Sequence, residues 1–254
     1  MSSGPRKLYI DSRYRSSGSR SHSDFTFQLA YSVEVPIDSV AIIDSVSVPN
    51  VFQTIDSTRN KLYLDFFEDP DQILTISSGM YNGVTLAIEL QSQLNAMGRG
   101  TFNVAFDSPT GQLKIVSSGV GYVVMSERSI LRPFDCLEVI GALDAGPILL
   151  LEDVEVTLPH HVDISGTRVL YLCSSNFGHY SSLGPRGESD IIRAVYVDAS
   201  NGSYIVDRLA NPFEFIQCGG QQLQSLRFTL RDGNGLIVDL KGRSISFSII
   251  FLAK

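Results

Sequence analysis

The sequence predicts an all-β protein: an antiparallel jelly-roll sandwich with one short helix and a basic N-terminal arm. Three observations predict it. From Phe25 to Leu252, short runs rich in Val, Ile, Phe and Tyr alternate apolar and polar residues, which is the pattern of half-buried strands. Clusters of Gly, Pro, Asn and Asp separate those runs. A single helix-period segment stands among them, so the chain lacks the repeated strand–helix alternation that a parallel doubly wound sheet needs.

The first element is the arm, residues 1–23. It is polar and serine-rich. Arg6, Lys7, Arg13, Arg15 and Arg20 stand there against Asp11 alone, a formal charge of +4, which leaves −11 on the rest of a chain whose net charge is −7. Such a segment has too little apolar surface to bury a core of its own, so it is expected to be disordered until a partner orders it. Residues 24–254 form the jelly-roll body, with 120–220 a candidate insertion or second β subdomain.

The body opens with the strand FTFQL (25–29), then the long run VAIIDSVSVPNVF (40–52), closed by Pro49-Asn50. NKLYLDFF (60–67) alternates cleanly and pairs with QILTIS (72–77) across the acidic turn EDPD. In GVTLAIELQSQLNAMG (83–98), Leu86, Leu90, Leu94 and Met97 recur at helical spacing, Thr85 sits where a cap is expected and Gly98 ends the run. Residues 102–118 read as a hairpin turning at Pro109 and Gly111, and 126–143 as one or two helical turns ending at Gly141. Strands are then expected at 153–158, 167–174, 190–198, 203–207, 212–218, 223–232, 236–240 and 244–252, with Asn201-Gly202 and Asp232-Gly233-Asn234-Gly235 as hairpin turns. No fixed period links them, which excludes a propeller or solenoid.

The bulk numbers fit a globular body: 254 residues, 43% hydrophobic and 19% charged. The longest apolar stretches, ISFSIIFLA and ILLL, are strand-length, so no membrane span is expected. The N-terminus lacks an apolar signal region, and secretion through a signal peptide is not expected. Cys136, Cys173 and Cys218 are widely spaced and odd in number, as buried reduced thiols are.

Four segments resemble the penton, or minor capsid, proteins of virophages, Polinton-like elements and related small double-stranded DNA viruses. YIDSRYRSSGSRSHSDFTFQL (9–29) is similar to their opening Asp-Ser-Arg stretch, polar spacer and Asp-Phe-Thr strand. VAIIDSVSVPNVFQTI (40–55) is similar to their long strand ending in Pro-Asn, and ISSGMYNGVTLAIELQSQLN (76–95) to their Gly-x-Tyr turn before an amphipathic helix. LRFTLRDGNGLIVDLKGRSISFSIIF (226–251) is similar to their closing strands and Asp-Gly-x-Gly turn. The region 120–220 departs most from the family. The resemblance implies a jelly-roll capsid protein that stands at icosahedral five-fold vertices as a homopentamer, with the major capsid protein of the same virion as its other partner.

Catalytic and metal chemistry find little support in the residues. His160 and His161 are adjacent and point to opposite faces if in a strand, so with Asp163 they are expected to sit in a loop rather than hold a metal. The carboxylates Asp65, Glu68, Asp69 and Asp71 cluster at a turn without the ladder of a Ca²⁺ loop, and no Gly-x-Ser-x-Gly or Gly-Lys-Ser/Thr motif is present. No catalytic residue, metal or cofactor is expected. A β-sandwich binding module, lectin-like or receptor-binding, is the alternative reading, and a carbohydrate-active enzyme using the 65–71 carboxylates a weaker one. The candidate functional residues are those of the arm: Arg6, Lys7, Tyr9, Arg13, Tyr14, Arg15 and Arg20. Arginine pairs bidentately with carboxylates and phosphates and tyrosine adds contact area. The acidity of the body favours a strap across a neighbouring subunit over contact with packaged nucleic acid or a free solubilising tail.

Overall fold

The computed structural model describes residues 7–66, 69–119, 121–127, 129–177, 183–208 and 214–253. They fall into two compact units: Met1–Phe52 together with Thr167–Lys254, and Gln53–Gly166. The compact insertion is therefore 53–166 rather than 120–220. The runs after Thr167 carry Leu170, Leu172, Ile192 and Val195 into the core of the first unit, whereas residues 53–166 bury a core of their own.

The first unit begins with β1 (Lys7–Asp11), β2 (Asp24–Glu34) and β3 (Ser39–Pro49). The insertion supplies β4 (Lys61–Phe66), β5 (Asp69–Thr75), α1 (Gly83–Ala96), β6 (Thr101–Asp107), β7 (Gln112–Ser118), β8 (Tyr122–Met125), α2 (Leu137–Ile140), β9 (Ile148–Leu151) and β10 (Val156–Thr157). The first unit resumes with β11 (Val169–Ser174), β12 (Ile191–Tyr196), β13 (Tyr204–Arg208), β14 (Ile216–Gln217), β15 (Gln222–Asp232) and β16 (Ser246–Ala253).

Two antiparallel sheets build the first unit, in the orders β1-β16-β3-β13, with β14 also on β3, and β12-β11-β15-β2. Labelled B to I in chain order, with β13 and β14 together as G, the strands read B-I-D-G and C-H-E-F. That is jelly-roll topology, with the 53–166 unit inserted in sequence between its third and fourth strands, D and E. The two inner faces share one core. Ile10, Val46, Ile205, Phe247 and Ile249 come from the first sheet, and Phe25, Leu172, Val195, Leu226 and Phe228 from the second. Phe228 meets Phe247 edge-on across the core at 4.8 Å between ring centroids.

The N-terminal segment corrects the expectation of a free arm. From Lys7 it is a strand of the jelly roll, paired with β16 in the register Lys7↔Ile250 to Asp11↔Ser246. Ile10 is 1% exposed in the core, and Ser12 beyond it is buried. The cause is the alternation inside KLYID: Leu8 and Ile10 point inward and Lys7, Tyr9 and Asp11 outward, which is enough for a five-residue edge strand. A 3-10 turn, Ser12–Tyr14, follows, with the Asp11 carboxylate accepting from Arg13 N.

The insertion has two sheets, β5-β4-β8-β9 and β10-β7-β6, and α1 packs on β6. The helix starts one residue after Asn82, which accepts from Thr85 N while Thr85 Oγ1 accepts from Asn82 N, both at 2.9 Å. Thr85 is thus the third helical residue of a capping box rather than the cap itself. Leu86, Leu90 and Leu94 are buried, and a Cβ at Gly83 would collide with the Phe106 ring. The helix also protects the open edge of β6. Asn95 holds both N–H and C=O of Phe102, and Gln91 accepts from Val104 N at 2.8 Å.

Other local differences have local causes. The helical turn expected in 126–143 is α2, and it ends at Gly141 with φ +80°. LIVDL (236–240) makes one bridge, Ile237 to Arg231, because Asp232 folds the turn back on itself: its carboxylate accepts from Asn234 N and Leu236 N. Gly202 does turn the chain, at φ +86°, but it joins β12 in one sheet to β13 in the other, so it is not a hairpin. No helix among the described residues is long and apolar enough to cross a membrane.

Candidate assembly face

The sheet β1-β16-β3-β13 presents its outer face as rows of aligned residues. One row runs Tyr9, Ser248, Ser45, Arg208, and the next runs Asp11, Ser246, Ser47, Val206. Four serines make the floor, and Ser45 and Ser248 hydrogen-bond each other at 3.0 Å. Larger side chains stand at its margins: Tyr9 is 75% exposed, Tyr14 73%, Val206 57% and Tyr204 50%. Tyrosine offers wide contact area at low entropic cost, and small polar neighbours let a partner approach closely.

The cations of the face are held in place. Lys7 Nζ donates to Asp44 Oδ2 at 2.6 Å, where the bulge between Ser248 and Ile249 leaves Asp44 unmatched in the ladder. Arg13 Nε donates to both carboxylate oxygens of Asp11, at 3.1 and 2.9 Å. These donors hold the carboxyls of Asp11 and Asp44 below the usual carboxylate range, against the opposing effect of burial. Arg13 lies 5.9 Å over the Tyr14 ring, and Lys7 5.2 Å over Tyr9. Tyr204 also helps raise the Arg13 pKa, after the larger contribution of Asp11, which places β13 within electrostatic reach of the N-terminal segment.

The sequence-predicted arm residues therefore divide. Lys7, Tyr9, Arg13 and Tyr14 belong to this face. Arg20 lies elsewhere, 3.8 Å from the buried carboxylate of Asp24, which Arg227 also grips at 3.1 Å. Arg15 turns inward, donating to Ser12 O at 3.1 Å and lying against the His22 ring. Arg6 is outside the described residues, as are Glu68 and His179. Sequence reasoning missed Tyr204, Val206 and Arg208 as members of the face. The available signal was the alternation of Tyr204 and Val206 about the buried Ile205 in a strand already recognised.

The other candidates are absorbed by the fold. Asp65 accepts from Asp71 N and from Ser126 Oγ, both at 2.9 Å, so it closes the β4–β5 turn. Asp69 pairs with Arg99 and accepts from Gln72. Asp65 and Asp71 line a cleft of about 370 Å³ with Tyr63, Ile73, Ser129, Leu131 and Arg132. His160 and Asp163 are fixed by backbone hydrogen bonds to Gly141 O and Val139 O. Among the described residues no group of three His, Cys, Asp or Glu side chains is placed to hold a metal. Cys136, Cys173 and Cys218 are free and buried.

No protein-family model and no curated protein matches the chain. Among solved structures, a crystal structure of the mavirus penton protein is similar over 98% of this chain and 99% of its own, with a TM-score of 0.53 and 9% sequence identity. The likeness is one of fold, and it extends over both units.

Proposed function

We propose that this chain is a structural viral capsid protein that forms the pentameric capsomer at icosahedral five-fold vertices. The observation that carries this reading is the likeness in fold to a penton protein over essentially the whole of both chains, achieved on a jelly roll with a large insertion. The work of such a protein is assembly, not turnover. A five-fold ring needs a head-to-tail contact in which each copy uses two different surfaces and the rotation closes. The Tyr9–Tyr204–Val206 face is one of those surfaces, because its exposed tyrosines, anchored arginine and small floor have the composition of an interface centre. Surrounding copies of the major capsid protein meet the ring from outside, and the capsomer belongs to the virion. Packaged nucleic acid is a poorer partner for the N-terminal segment, since Lys7, Arg13 and Arg20 each already face a carboxylate.

Co-expression with the major capsid protein, followed by imaging of the particles, tests the assignment. The expected result is density for this chain at the five-fold vertices. A chain that stays monomeric, binds a glycan and leaves the vertices empty is instead a binding module. Within the capsomer reading, Tyr9→Ala combined with Val206→Asp leaves the fold intact and weakens association at least about tenfold, as loss of an interface anchor does. Unchanged association in that variant removes this face from the contact.

A further inference from the structure

The turn that joins β1 to β2 contains a cluster that the assembly reading does not use. Ser12 is buried and clasps the start of β16 from both sides: its N–H donates to Ile245 O at 3.0 Å, and its Oγ accepts from Ile245 N at 2.9 Å. His22 Nδ1 lies 2.9 Å from the same Oγ. Beside the bond from Ile245 that oxygen keeps a second lone pair, so it can give its own proton to Nδ1 of a neutral imidazole or accept one from a protonated ring. Arg15 Nη1 stands 3.2 and 3.1 Å from Nδ1 and Nε2, and is itself tethered to Ser12 O.

We propose that His22 is a proton-sensitive latch for the N-terminal strand: neutral, it completes the Ser12–Ile245 clasp, and protonated against Arg15, it weakens the clasp and the hold of β16 on β1. An imidazolium in this place turns Nδ1 from an acceptor into a donor and faces a guanidinium that cannot give up its charge. The Ser12 backbone and Asp11 favour the charged ring, but less than burial and Arg15 oppose it. Asp11 is engaged by Arg13, and across the cleft of about 470 Å³ that His22 lines, Asp239 is engaged by Lys241 at 2.9 Å. Ser21, Ser23, Val238 and Leu240, also on that cleft, carry no charge. Burial, then Arg15, hold the His22 pKa below its ordinary 6.5.

The sign follows from linkage. The released segment binds a proton near pH 6.5, and the clasped one only at lower pH. Opening is therefore favoured as pH falls from 6.5 to the lowered value and is constant below it. The carboxyls of Asp11 and Asp44 titrate below 3.8, outside that window. Release leaves the body folded, because β1 is an edge strand.

Amide hydrogen exchange of the full chain between pH 7.5 and 5 tests the latch, read at Ser12 and Ile245 and corrected for intrinsic rates. Protection at both amides should fall about tenfold for each unit by which the His22 pKa lies under 6.5, while the Phe228 and Leu172 amides stay protected. His22→Gln keeps a neutral acceptor and should flatten the response; Arg15→Gln should shrink it. If His22→Gln fails to fold, the Arg15 variant and a direct titration of the His22 ring carry the test. A ring pKa at or above 6.5, pH-independent protection in the native chain, or an undiminished response in either variant overturns the proposal. None of these readouts depends on the capsid reading.

Discussion

Arg193 shows how one residue can join two layers. It lies on β12, is only 8% exposed at its side chain, and reaches β13 in the opposite sheet. Its Nε donates to Asp207 at 2.6 Å, Nη1 to Glu214, and Nη2 to Arg208 O at 3.2 Å. Three donors in a fixed fork meet three acceptors, which a lysine cannot reproduce. Asp207 is 23% exposed and Glu214 54%, so water partly compensates them, and Arg193→Ala should cost about 1–3 kcal/mol in denaturant unfolding, chiefly through the lost hydrogen bonds, with Arg193→Lys recovering only part. The cysteines give a second prediction at this scale. Burial pushes Cys136 and Cys173 up to about 12 and Cys218 to about 11. The native chain should resist alkylation at pH 8, and all three thiols should react once it is denatured; rapid labelling of the native chain would show that a core opens. Their spacing alone pointed to buried thiols, because the absence of any paired Cys motif leaves a small apolar residue as the remaining role.

At the scale of elements, α1 was legible from its leucine spacing, yet its cap, Asn82, lies three residues before the expected one. Thr85 and Asn82 are both good capping types, and only the reciprocal hydrogen bonds distinguish them. Asn82→Ala should cost about 1 kcal/mol of stability, measurable as a lowered unfolding midpoint; an unchanged midpoint would mean that packing on β6 alone holds the helix end. The edge strand β1 was hidden for a different reason. Its five residues are embedded in serine- and arginine-rich sequence, so average composition outweighed a local alternation. β8 escaped for a similar reason, being four residues long beside the glycines at 119 and 121. The insertion boundary could not be read at all. The strands on either side of Gly166 have the same composition, and only their packing into separate cores divides them.

For the whole molecule, the two sheet orders make the N-terminal segment part of the body instead of a tether. The proposed ring contact is then made by a rigid sheet face, which loses less entropy on association than a disordered strap would. The chain carries a net charge of −7, so copies repel one another, and association should strengthen as salt screens that repulsion over a Debye length of about 8 Å. The most direct measurement is the mass of the purified full chain by sedimentation and native mass spectrometry, at rising concentration and at low and raised salt. The account predicts a species of five times the 27.9 kDa of one chain, growing with concentration and salt and without a dominant intermediate. A dominant two-fold dimer, or a chain that stays monomeric under every one of these conditions, would contradict it.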